Sequence, residues 1–379
     1  MRGRIVSFDA LRFILALCVL FGHTFINLFR VDKTEILCIQ NLAVDGFFIM
    51  SGFLLALSYL KTDLANKTRD ELFIHAIWKK IKRLYPDYLF AMIISLLLSL
   101  LLLHKANFKL ITFFLNNIFI ADINTVSGVI VGSWYVSVLF WVSLIYMALL
   151  FYKGKVAVYL YIPLFVFVSF SYSYASYSGL SLNSSPLIAN IFSSGFLKGF
   201  IGIGTGIILC YICNAWKEVS ISTKYQKFFC GLIELIAITI IYYCFNLRQF
   251  TKNEYLVYFA YPAILGILYC HKETFLKFLS WKMWKPIAPT AYMLFLTHVV
   301  WLEIIKRYIP YKNYPEVVVY ASVMFFCVIF AYLCYHAKKC FFAKLKQILF
   351  IQQAENSSLN VENPEKDRES FAKLHQRSN

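Results

Sequence analysis

The stretch LFAMIISLLLSLLLL, residues 89–103, decides the fold class of this chain. It is apolar apart from two serines, and it does not alternate between polar and apolar residues as a membrane β-strand would. A run of this composition crosses the hydrocarbon core of a bilayer only as an α-helix. The sequence therefore predicts a membrane protein built from helices.

Similar apolar segments recur along the whole chain of 379 residues, of which 60% are hydrophobic and only 15% are charged. A soluble domain carries far more charge than this. Ten segments have the length that a bilayer requires: 6–29, 42–60, 84–104, 133–152, 156–172, 190–212, 229–246, 254–270, 287–305 and 316–336. We predict an all-α polytopic membrane protein with about ten transmembrane helices.

The distribution of lysine and arginine predicts the orientation of these helices. If the N-terminus is cytoplasmic, 26 of the 37 basic residues fall in cytoplasmic segments and nine fall outside, while Arg12 and Lys198 lie within helices. Cytoplasmic flanks accumulate lysine and arginine, so both termini are predicted to be cytoplasmic. The net charge of +17 is then mostly a sign of topology. It favours membrane lipid and phosphate-bearing ligands as partners, and it gives no indication of nucleic acid.

The predicted domain organisation is simple. Residues 1–340 form the transmembrane domain, and its first apolar run is read as a retained helix rather than a cleaved signal peptide. Residues 341–379 form a cytoplasmic segment, which begins as a basic amphipathic helix and ends in a disordered tail from about residue 354. The close cysteine pair Cys210 and Cys213 is predicted to stay reduced, and no metal site is expected.

Three ionisable residues share the first span, in the stretch DALRFILALCVLFGH. An α-helix turns about 100° per residue, so Arg12 and His23 lie on nearly the same face, about 16 Å apart along the axis. Charged groups in hydrocarbon are costly unless they face protein or water, which indicates one wall of a buried polar site. The alternative is structural: Asp9 and Arg12 neutralise each other, and His23 makes a helix contact.

The second span adds Asp45 and Ser51, near glycines that allow close helix packing. Asp45 is a candidate catalytic residue that would pair with a cation or orient His23. It is equally well explained as a solvated acid at a helix start, where it favours the helix dipole.

A basic cluster, WKKIKRLYPDYLF, stands immediately before the third span. It contains Lys79, Lys80, Lys82 and Arg83. Positive-inside placement alone explains such a cluster, but a phosphate-rich cytosolic ligand would use the same residues.

With these motifs in view, the chain resembles the large family of integral-membrane acyltransferases often called acyltransferase family 3. The resemblance covers residues 5–336 and rests on FDALRFILALCVLFGH, VDGFFIMSGFLL, KKIKRLYP, SWYVSVLFWVSLIY and AYMLFLTHVVWL. It implies an enzyme of the bacterial inner membrane that takes an acyl group, commonly acetyl, from cytosolic acyl-CoA. The acceptor would be a hydroxyl of a cell-surface or lipid-linked carbohydrate, and acyl-CoA would be a substrate rather than a permanently bound cofactor.

The resemblance also implies roles for individual residues. His23 would be the catalytic base that takes the proton of the acceptor hydroxyl, with an acyl-histidine intermediate as a less favoured variant. Arg12 and Arg83 would contact the CoA phosphates, helped by Lys80 and Lys82. Asp9 would hold Arg12 in place, and Ser51 would line the cavity.

Two later helices complete the resemblance. Trp134 of the fourth span is a candidate substrate or cavity residue, but many family members carry a glutamate five residues after this tryptophan, where this chain has Leu139. His298 of the ninth span matches a frequent histidine of the family, and a single interhelical hydrogen bond explains it equally well. Lys198 is expected to snorkel to the outer surface, among glycines that serve helix packing.

Two other classes of function stay open on the sequence alone. A secondary transporter or flippase of a polysaccharide precursor would also place charges in its helices, although its broken, repeated helices are not evident here. A membrane scaffold is also possible, but it would not need His23.

Overall fold

The computed structural model describes residues 5–30, 37–63, 67–103, 119, 132–180, 194–216 and 223–361, without the side chains of 223–224 and 345–361. Within these ranges the chain forms eleven α-helices and no strand. They are α1 Val6–Thr24, α2 Ile39–Leu60, α3 Arg69–Leu101, α4 Ser133–Lys153, α5 Ile162–Ser176, α6 Gly195–Trp216, α7 Thr223–Phe245, α8 Val257–Tyr269, α9 Trp284–Ile287, α10 Ala291–Tyr308 and α11 Glu316–Val361. The all-α class predicted from the sequence is confirmed.

In the described part of the chain, nine helical segments are long and apolar enough to cross a bilayer. The remaining predicted span, 254–270, is the eighth in chain order. It is shorter than the others because it consists of a 3₁₀ segment, Lys252–Leu256, followed by the 13-residue helix α8. At about 2.0 Å and 1.5 Å of rise per residue, the two together extend about 30 Å. This is the thickness of a bilayer core, so the structure is compatible with ten crossings.

The tightest packing in the bundle is between α2 and α6. A Cβ atom added at Gly52 would overlap the carbonyl oxygen of Ile203, and one added at Gly206 would overlap that of Ile49. Only glycine allows backbones to approach this closely. The packing role predicted for the glycines around Lys198 is therefore confirmed for Gly206, and a similar contact at Gly202 lies against Phe48.

Helix α3 differs most from its predicted bounds, because it begins fifteen residues before the predicted span at 84. Thr68 accepts a hydrogen bond from the backbone N–H of Glu71, whose carboxylate accepts one from the N–H of Thr68. This capping box starts the helix within the polar segment. The basic cluster thus lies on α3 itself rather than in a loop that precedes it.

The described chain divides into two compact units, 1–332 and 333–379. The first unit holds helices α1 to α10 and the beginning of α11. In the second unit, α11 is described to Val361, beyond residue 354, where the tail was predicted to begin. The remainder of the predicted tail, 362–379, lies outside the described residues.

Candidate functional site

The charged end of the candidate site begins with Arg12 in the second turn of α1. Its Nη1 atom donates to Oδ1 of Asp9 at 2.7 Å, and the Arg12 side chain is 21% exposed. A pair three residues apart on a helix forms within one face. A guanidinium has five N–H donors, a geometry suited to carboxylate and phosphate oxygens, and Asp9 helps to hold that of Arg12 in place.

Four helices bring polar groups together around the hydroxyl of Tyr135 on α4. The side chains of Ser51 on α2, Arg12 on α1 and Arg83 on α3 lie near it. We call Arg12, Ser51, Arg83 and Tyr135 the arginine cluster. The structure therefore brings together three of the residues predicted from the sequence. Sequence reasoning missed Tyr135, although it follows the named residue Trp134.

The lysines of the basic cluster extend this positive region along α3. Lys80 lies close enough to Arg83 for the two charges to repel each other. Lys82 and Arg83 are exposed, and Lys80 is half-buried. Like charges three residues apart on a helix are unfavourable, and an anionic ligand bound between them would remove the repulsion. The basic side chains of α3 are thus suited to binding phosphate groups.

An aromatic path leads from the arginine cluster towards the other end of α1. The ring of Tyr135 lies 5.1 Å from that of Phe295 on α10, and Phe295 lies 6.2 Å from His298. These centroid distances are those of direct ring contact. Trp134 stands beside this path, half-buried, with its ring 6.3 Å from that of Phe48. Apolar ring surface thus lies between the charged end and the histidines.

Two imidazole rings meet at the second end of the site. The ring of His23 on α1 lies 5.1 Å from that of His298 on α10, inclined by 44°. His23 is half-buried, whereas only 3% of His298 is exposed. Beyond His23 the helix continues as a π turn, Phe25–Phe29, in which the Asn27 amide donates to the His23 carbonyl at 2.8 Å. The predicted contact between this histidine and a neighbouring helix is thus with a second histidine.

The His298 ring is held by its own helix. Its Nδ1 atom lies 2.8 Å from the carbonyl oxygen of Phe295 and 3.2 Å from that of Leu294. Its Nε2 atom is buried and has no hydrogen-bond partner among the residues that the structure describes. The ring therefore has one committed nitrogen and one unsatisfied nitrogen.

Asp45 does not lie against His23. Its Oδ2 atom lies 3.1 Å from Nζ of Lys198 on α6, and its Oδ1 atom accepts a hydrogen bond of 2.8 Å from the hydroxyl of Tyr258 on α8. Asp45 is fully buried. The suggestion that it orients His23 is therefore wrong, and the suggestion that it pairs with a cation is correct. The close packing of α2 on α6 turns Asp45 to that side.

Lys198 also differs from expectation. Its side chain is 3% exposed, and Nζ donates to the carbonyl oxygen of Asn41 at 3.2 Å in addition to its pair with Asp45. It does not snorkel to the surface, because a buried carboxylate offers it a better partner inside the bundle.

A separate cavity of about 420 Å³ opens where α1 begins and α2, α6 and α8 end. Its lining includes Lys61, Asn214, Tyr269 and His271, and none of the residues predicted to form the site. The ten cysteines, including Cys210 and Cys213, are free thiols. Across the described ranges, no three histidine, cysteine or acidic side chains are grouped as metal ligands.

Residues 5–336 match the family described as an acyltransferase domain, acyltransferase 3. Since the match covers most of the 379 residues, the chain belongs to this family of acyltransferases. Together with the apolar helices, this makes it a multi-pass membrane acyltransferase. Searches of the curated proteins and of the solved structures give no match.

Proposed function

We propose that this acyltransferase moves an acyl group, acetyl in the first instance, from cytosolic acyl-CoA to a hydroxyl of a cell-surface or lipid-linked carbohydrate. It would work in the inner membrane of a bacterium, with both termini in the cytoplasm. The observation that carries the proposal is the arrangement of α1: Arg12 and Asp9 stand at one end and His23 stands about 16 Å away on nearly the same face.

The charged end suits the donor. Acyl-CoA carries several phosphates and a long, uncharged pantetheine arm that ends in the thioester. Guanidinium groups bind phosphate oxygens through paired N–H donors, so Arg12 and Arg83 are the primary contacts, with Lys80 and Lys82 as point charges. The aromatic path of Tyr135 and Phe295 gives the arm an apolar surface towards His23.

The histidine end suits the transfer. A hydroxyl is a weak nucleophile until a base removes its proton, and imidazole is the side chain best matched to this task near neutral pH. The hydroxyl oxygen forms a bond to the acyl carbon, and the carbon–sulfur bond breaks. The proton passes from the hydroxyl to His23 and then to the CoA thiolate, so the products are an ester and free CoA.

Mass analysis of surface polysaccharide and lipid-linked glycans tests this function in cells with the native chain, with His23→Ala or without the gene. We expect a mass increment of one acyl group with the native chain only. His75→Ala, which alters an exposed histidine on α3, is the matched control and should behave as the native chain does.

Unchanged glycan mass in all cells, with a changed amount of exported glycan, would instead favour the transporter or flippase. A purified native chain that releases no CoA from acetyl-CoA with any glycan acceptor would also count against the proposal.

A further inference from the structure

His298 is the buried polar residue that the proposed reaction leaves unexplained. A carbonyl oxygen only accepts hydrogen bonds, so the short contacts of Nδ1 with the carbonyls of Phe295 and Leu294 require that Nδ1 carries the proton. In the neutral ring, Nε2 is then a pure acceptor with an available lone pair. The helix backbone thus fixes the tautomer of this side chain.

The Nε2 atom has no hydrogen-bond partner among the described residues, although only 3% of His298 is exposed. An unsatisfied buried acceptor is unfavourable, so such a group calls for an explanation, of which a catalytic role is one. The ring of the half-buried His23 packs against that of His298, with a centroid distance of 5.1 Å. Since ring nitrogens lie at the ring edge, rings at this distance come within reach of an N–H···N hydrogen bond when a nitrogen of each faces the other.

Resting on the proposed function, we propose that Nε2 of His298 accepts a hydrogen bond from His23 and thereby directs the unprotonated nitrogen of His23 at the acceptor hydroxyl. His298 is then a positioning residue, and His23 is the catalytic base. The acceptor hydroxyl is then the nucleophile, His23 the base and His298 the group that orients the base, as in hydrolase triads.

The proton balance follows from this arrangement. The acceptor hydroxyl gives its proton to the free nitrogen of His23 as its oxygen bonds to the acyl carbon. The resulting imidazolium keeps its other N–H on Nε2 of His298, which stabilises the positive charge, and it then returns a proton to the CoA thiolate. His298 remains neutral throughout, and its Nδ1–H remains on the backbone.

A neutral orienting group fits this location. A carboxylate in the same place would bring a net charge into the membrane interior, which is costly without a partner. The predicted acid, Asp45, is engaged instead by Lys198 and Tyr258. An imidazole anchored to its own helix provides the acceptor without adding a charge.

Two substitutions of His298 distinguish the roles of its two ring nitrogens. An asparagine amide nitrogen stands two bonds from Cβ, as Nδ1 does, so His298→Asn keeps the backbone hydrogen bond and removes the acceptor. A glutamine amide stands three bonds from Cβ, as Nε2 does, so His298→Gln offers an oxygen acceptor to His23. His75→Asn is the exposed control.

We expect His298→Asn to lower kcat for acyl transfer by up to about 100- to 10,000-fold, the contribution of a general base, with KM for acyl-CoA unchanged. His298→Gln should restore at least part of the loss. Native kcat in His298→Asn would overturn the inference while leaving the proposed function intact, provided that His23→Ala is inactive. If His298→Asn does not fold, a loss in His298→Gln as large as that of His23→Ala overturns it.

A second readout does not depend on activity. In protein labelled with ¹⁵N-histidine, the Nε2 signal of His298, identified by its loss in His298→Asn, should be of the unprotonated type and should shift in His23→Ala. A protonated Nε2 would overturn the inference even if the chain transfers acyl groups. A correct tautomer in a chain that transfers none would instead count against the proposed function.

Discussion

The carboxylate of Asp45 and the ammonium group of Lys198 form an ion pair of 3.1 Å inside the bundle, with both side chains at most 3% exposed. The pair joins α2 to α6, and Tyr258 of α8 and the backbone of Asn41 each add one hydrogen bond to it. Burying a pair of opposite charges in the membrane interior costs far less free energy than burying either charge alone. This neutral pair fixes the relative position of three helices.

Removal of one partner should therefore destabilise the protein. Lys198→Met leaves Asp45 buried without its cation, and we expect a loss of about 3–5 kcal/mol in the free energy of unfolding. The double variant Asp45→Asn, Lys198→Met should be closer to the native chain than either single variant. Denaturant titration in detergent measures these differences, and Lys227→Met, at an exposed position of α7, is the control. Equal stability of Lys198→Met and the control would contradict the role of the pair.

The contact of α2 with α6 gives a second prediction. In Gly206→Ala, the new methyl group overlaps the carbonyl oxygen of Ile49, and overpacking of this kind costs about 1–3 kcal/mol. In Gly266→Ala, the methyl group meets Sγ of Cys213 at 3.4 Å, an ordinary contact, so helix propensity favours alanine by up to about 1 kcal/mol. The midpoint temperature of thermal unfolding should thus fall in Gly206→Ala and not in Gly266→Ala. A stable Gly206→Ala protein would show that the helices can separate at no cost.

A third prediction concerns the donor. Arg12→Lys keeps a positive charge near Asp9 but loses the planar fork that binds phosphate oxygens in pairs. We expect KM for acyl-CoA to rise about tenfold, which corresponds to about 1.4 kcal/mol, with a small change in kcat. Steady-state kinetics with purified protein measure both constants. Arg69→Lys, at an exposed residue of α3, should leave KM unchanged, and a KM unchanged by Arg12→Lys would remove Arg12 from the phosphate site.

A fourth prediction concerns α8 and the orientation of the chain. If α8 with its preceding 3₁₀ segment crosses the bilayer, its two ends lie on opposite sides. A phosphatase reporter, active only outside the cytoplasm, should be active when fused after Arg248 and inactive when fused after Lys272. A cytoplasmic fluorescent reporter should give the reverse pattern. The same activity at both positions would reduce the count to nine crossings and place the termini on opposite sides.

Much of the bundle could be predicted from the sequence, because hydropathy alone reports where the bilayer lies. Helices α2 and α4 were predicted at 42–60 and 133–152 and are found at Ile39–Leu60 and Ser133–Lys153. The first half of α3 was not predicted, because hydropathy does not indicate a helix in a polar segment. The capping box of Thr68 and Glu71 was the local signal that would have revealed it.

The site was predicted in part. The face shared by Arg12 and His23 follows from helix periodicity, but their neighbours on other helices do not. The contact between Lys198 and Asp45 is the one contact between helices for which the sequence held a signal. Both residues stand near the beginning of a helix, on the same predicted side of the membrane. Their matching depth could have suggested the pair. The orientation of the His298 ring has no such signal, because the contacts of Nδ1 with the carbonyls of Phe295 and Leu294 depend on the side-chain conformation in the folded helix.

The ion pair of Asp45 and Lys198 has a consequence for biogenesis, since its partners are made 153 residues apart. At about 5–20 residues per second, α2 waits roughly 8 to 30 s for α6 to leave the ribosome. During that interval the carboxyl group of Asp45 lacks the ammonium group of Lys198, and a lone carboxylate in lipid is costly. The packing of α2 thus depends on a helix that is made much later. Truncation before α6 should leave a nascent chain that quality-control proteases recognise.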